Sequence, residues 1–79
     1  MFKNRTSENR NNICGEKIRA LRLQQGNSQR EIAEALQLQG IDVDKNAIQR
    51  IESGQRFVTD IELKALSIVF GVSYDELLS

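Results

Sequence analysis

Lys45, Asn46, Gln49 and Arg50 lie within six consecutive positions and are of the types that make paired hydrogen bonds to purine edges. A carboxamide matches the donor and acceptor that adenine presents. A guanidinium or an ammonium matches the two acceptors of guanine. Read as a helix at about 100° per residue, residues 44–54 turn Asn46, Gln49, Arg50 and Ser53 to one side and Ile48 and Ile51 to the other. Asp44 supplies an N-cap, because a short carboxylate accepts from the unpaired first-turn amides and suits the positive end of the helix dipole. Val43 and Ile48 form a hydrophobic staple, and Gly54 ends the helix. Taken alone, the segment reads equally well as an amphipathic helix with a solvated face.

The elements that must position this helix carry the same punctuation. From Ile13, apolar residues recur at Cys14, Ile18 and Leu21 until Gly26 offers a C-terminal stop. Ser28 and Glu31 make a capping box for a second helix whose inner face is Ile32, Ala33 and Leu36. Gly40 is expected to end it, with Ile41 packing back on Leu36. Thr59 with Glu62, and a Val58–Leu63 staple, start a fourth helix that buries Leu63, Leu66, Val69 and Phe70 before Gly71. Ser73 with Glu76, and Val72 with Leu77, start a fifth. Each cap contributes only about 1 kcal/mol, yet every expected start carries one, so the pattern predicts an all-α, five-helix domain.

Composition agrees with one small domain: 79 residues, no proline, and Ile and Leu at helical spacing. A lone Cys14 cannot close an internal disulfide, and no long apolar run marks a signal peptide or membrane span, so a cytoplasmic protein is expected. Residues 1–12 are polar and read as a flexible tail ahead of a domain at 13–79. A competing reading makes that tail an arm touching phosphates through Lys3, Arg5 and Arg10. Asn4-Arg5-Thr6 matches a glycosylation acceptor, a chance match without secretion. The formal net charge is zero, but residues 1–56 hold a surplus of three positive charges and residues 57–79 a deficit of three, which would orient the molecule toward a polyanion.

Enzyme chemistry lacks its parts. There is no His, one Cys, and no separated carboxylate pair, and no cofactor is implied. Asp42-x-Asp44-x-Asn46 imitates the start of a calcium loop, but Ala47 stands where the turn glycine is needed and Ser53 where the closing glutamate is needed. Cys14 fits a small core position better than a reactive thiol.

Ser28-Gln29-Arg30-Glu31-Ile32-Ala33-Glu34-Ala35-Leu36, followed by Val43 through Gly54, resembles the helix-turn-helix of the Xre/Cro-type family, which includes the lambdoid phage repressors. The likeness extends from Ile18 to Leu78. It implies a lambda-repressor-like fold and a DNA-binding regulator, with helix 44–53 in the major groove and the helix before it crossing the backbone. Carried over, Lys45, Asn46, Gln49 and Arg50 resemble base-reading positions. Ser28, Gln29 and Ser53 resemble backbone-contacting ones, and Arg56 in the following loop suits a phosphate. Arg22 and Glu52 fall where the family often joins the first and third helices by an ion pair. The resemblance further implies a homodimer on a pseudo-palindromic operator in double-stranded DNA, with Tyr74, Leu77 and Leu78 as candidates for the contact or, for one or more of them, for closing the monomer core. An antitoxin or accessory subunit that binds a protein partner through the same scaffold is the alternative. Two departures stand out: about five extra residues across 37–42, expected to lengthen helix two and loosen the loop, and Asn27 at a normally apolar position.

Overall fold

The computed structural model describes residues 5–79. Their order is α1 (Gly15–Gln24), α2 (Gln29–Leu38), α3 (Lys45–Glu52), α4 (Asp60–Phe70) and α5 (Tyr74–Leu78), with no strand among the described residues. The all-α, five-helix expectation is met, and its local logic is visible at the helix ends. Ser28 and Thr59 accept the Glu31 and Glu62 amides at 3.0 and 3.2 Å, and both glutamates return a bond to the cap residue's amide. Asp44 accepts from Ala47 at 2.9 Å, and Ser73 from Glu76 at 3.1 Å.

Ile18 and Leu21 of α1, Ile32 and Leu36 of α2, Ile48 and Ile51 of α3, Leu66 and Phe70 of α4, and Leu77 of α5 meet in one core. Burying each such side chain fully contributes about 1.5–3 kcal/mol. Ala33 is small enough to let α2 and α3 cross closely, and it is buried as that role requires. α3 packs on both α2 and α1, so its orientation is set from two sides.

The connection between α2 and α3 is longer than the family turn, as expected, and α2 does extend to Leu38. It is not loose. Gly40 takes a φ of 83°, which lets the Ile41 amide reach the Leu36 carbonyl at 3.0 Å, and Ile41 is half-buried. Gln37 Nε2 then donates to the Val43 carbonyl at 2.8 Å, tying the end of the loop back to α2.

Of the three residues named for the contact between copies or the closing of the core, Leu77 is wholly buried and closes the core, because one turn of α5 turns it toward α1 and α4. The segment ahead of α1 is hydrogen-bonded to the fold: Thr6, Asn9 and Arg10 form a turn, and Asn11 and Asn12 bond to the last turn of α3 and the loop after it. Polarity made these residues look solvated, whereas their donors are used on backbone carbonyls. Lys3 and Asn4 lie outside the described residues.

Candidate nucleic-acid interface

α3 is eight residues long, about 12 Å. At about 100° per residue, Lys45, Asn46, Gln49, Arg50 and Ser53 share an arc of about 140°, while Ile48 and Ile51 occupy the opposite side and Glu52 falls at the edge of the arc, about 20° from Lys45. The structure agrees: the first five are exposed and the last three buried. Among the described residues, neither Lys45 nor Arg50 is in an ion pair. Their charged heads are therefore free toward solvent.

Of the backbone-contacting candidates, Ser53 lies on this face and Gln29 beside it. They line one surface depression with Gln49, Glu52 and Arg19. Ser28 is spent as the α2 cap. The Gln29 side chain donates to Glu52 Oε1 at 3.1 Å, leaving its first-turn amide as the outward-pointing donor. Ser53 Oγ donates to the Arg50 carbonyl at 3.2 Å. Arg56 stands apart. Its guanidinium makes two bonds of 2.9 and 2.8 Å to Glu62 and one to the Phe57 carbonyl. Hydrogen bonding from Arg56 is the first cause holding the Glu62 carboxyl below its ordinary range.

The expected Arg22–Glu52 pair is present and two-pronged, at 2.7 and 2.9 Å, with the two side chains 11 and 4 % exposed. Arg22 also donates to the Asn27 carbonyl at 3.1 Å, so the polar Asn27 is tied in by its backbone where an apolar side chain would have been stapled. The Glu52 hydrogen bond raises the Arg22 pKa, and the guanidinium stays charged. Buried charge beneath α3 is thus neutralised, while the two cations on the exposed arc of α3 are unpaired among the described residues. Cys14 is 2 % exposed and burial pushes its thiol pKa up, as suits a core residue.

Arg19 and Arg30 were missed from sequence. Arg19 is exposed on α1 one turn before Arg22, and Arg30 shares a depression with Asp44 and Lys45. The spacing of Arg19 from Arg22 was the available signal, since both then lie on the side of α1 nearest α3.

A family model described as Helix-turn-helix matches residues 18–77. The chain belongs to the helix-turn-helix family. Its membership is of the Xre/Cro-like kind, with α2 and α3 as the helix-turn-helix pair. Among solved structures, the DNA-binding domain of BldD is similar, with a TM-score of 0.72 and 34% identity over 94% of this chain and 100% of that one. A comparison with curated proteins gives no match. Among the described residues, no helix of this helix-turn-helix protein is long and apolar enough to cross a membrane.

Proposed function

We propose that this chain is a sequence-specific, double-stranded DNA-binding regulator of repressor-like type that works in the cytoplasm. α3 enters the major groove; Arg50 and Lys45 address guanine, and Asn46 and Gln49 address adenine. The α2 start, Ser53, Arg19 and Arg30 lie against phosphates and set the docking register. Arg56 is left out of this set because Glu62 holds it. The observation that carries the reading is the exposed arc of α3, where unpaired cations and carboxamides stand opposite a wholly buried face. The likeness to the DNA-binding domain of BldD supports it.

Two copies bind a pseudo-palindromic site with half-sites about one helical turn apart. Tyr74 and Leu78 of α5, 48 and 44 % exposed, are the contact candidates that remain. A protein-partner module on the same scaffold is the second reading, favoured by Ile61, which is 68 % exposed and shares a depression with Tyr74.

Selection of bound duplexes from a random pool tests the proposal. Wild-type protein should enrich one motif, and Arg50→Ala should relax preference at a single guanine, a loss of about 1–3 kcal/mol there. Enrichment of no motif, or a motif indifferent to Arg50→Ala, would remove the base-reading assignment and favour the partner module.

A further inference from the structure

The last carbonyls of a helix have no partner within it and carry the negative end of its dipole. In α3 their partners come partly from 39 and 42 positions away in the chain. Arg10 donates through NH2 to the Glu52 carbonyl at 2.8 Å. Asn12 Nδ2 donates to the carbonyls of Ile51 and Arg56 at 3.0 and 2.8 Å, and its Oδ1 accepts the first amide of α1, that of Gly15, at 2.8 Å. Asn11 donates through its amide to Gly54 at 2.8 Å and through its side chain to Gln55 at 2.9 Å. The segment therefore joins the end of α3, the loop after it and the start of α1.

Two glycines keep the space open. A Cβ on Gly54 would stand 2.7 Å from Arg10 Cζ, and one on Gly15 would overlap the Ile51 carbonyl oxygen and stand 2.8 Å from Arg10 NH2. Arg10 is largely enclosed, at 17 % side-chain exposure, and its Nε is buried without a partner among the described residues. Among the described residues, its only ion-pair contact, to the exposed Glu16, is long at 3.7 Å. An arginine reaching for a phosphate would leave its head in solvent. This one directs its charge at the end of a helix.

We infer that residues 6–12 form a clasp that closes the C-terminal end of α3, with Arg10 as a positioning residue for the face that reads DNA. A helix of eight residues frays readily, and Arg50 and Ser53 occupy the turn whose carbonyls the clasp holds. The inference rests on the DNA-reading role proposed for α3, while its mechanical part stands without it.

The 79-residue wild type, Arg10→Ala, Arg10→Gln and Arg10→Lys are compared by amide hydrogen exchange and by affinity for the selected duplex at several salt concentrations. Arg10→Ala should speed exchange at Ser53, Gly54 and Gln55 roughly tenfold relative to amides of α4. DNA affinity should fall about tenfold with the salt slope unchanged, since no phosphate contact is lost. Arg10→Lys, which keeps a charged donor, should recover part of both, and Arg10→Gln less. If Arg10→Ala does not fold, the Lys and Gln variants decide by the same ranking. Unchanged exchange at the end of α3 would overturn the clasp. A salt slope reduced by about one would make Arg10 a phosphate ligand instead and overturn the positioning role. A wild-type chain that binds no selected duplex would overturn the DNA reading alone, and exchange would still decide the clasp.

Discussion

Glu52 is the most constrained charged side chain of the molecule. It is 6 % exposed, yet its two oxygens receive both prongs of Arg22 and the amide of Gln29, which belong to α1 and α2. Each lone partner removed leaves a buried charge without compensation. Arg22→Ala should therefore lower stability by about 3–5 kcal/mol, read as a fall in the denaturation midpoint with the slope unchanged; an unshifted midpoint would show that the pair is dispensable. This pair was legible in the sequence only through the family resemblance, because 30 positions separate its members and no local pattern links them. Arg10 is the opposite case. Its partner, a backbone carbonyl 42 positions away, has no side-chain signature at all, so polarity alone made the residue look solvated.

Helix ends were the most legible features, because a cap is written within four residues. Ser28 with Glu31 and Thr59 with Glu62 are examples in which chain-local chemistry and the fold agree. What the same pattern did not reveal was that Glu62 serves twice, closing the α4 box and also holding Arg56. That second role makes a pH prediction. The folded carboxyl titrates below the ordinary value of 4.5, with Arg56 the first cause and the Thr59 amide a further one. A depressed carboxylate pKa contributes stability that is fully present above the ordinary value and lost as pH falls through the lowered folded one. Thermal melts taken downward from about pH 6 should therefore show an acid loss that is shallower in Glu62→Gln than in wild type. Equal slopes would mean that the pair adds nothing. The connection between α2 and α3 was legible in its length and its glycine stop, whereas the Gln37 bond to the Val43 carbonyl, which steadies it, was not.

At the scale of the whole chain, zero net charge conceals a division of labour. The unpaired cations Lys45 and Arg50 stand on the exposed arc of α3, with Arg19 and Arg30 flanking it. Arg22 and Arg56 are consumed by internal pairs. Asp60, Asp75 and Glu76 stand in the first turns of α4 and α5, the helices that also carry the exposed Ile61, Tyr74 and Leu78. Such a molecule approaches a polyanion face first. The central claim, that the α3 face reads base sequence on double-stranded DNA, is tested most directly by affinity for a selected duplex and for a shuffled one across a salt series. Base reading by α3 should give a selected-site preference of at least about a thousandfold and a steep loss of affinity for both duplexes as salt rises. Equal affinity for the two duplexes, or binding indifferent to salt, would contradict it.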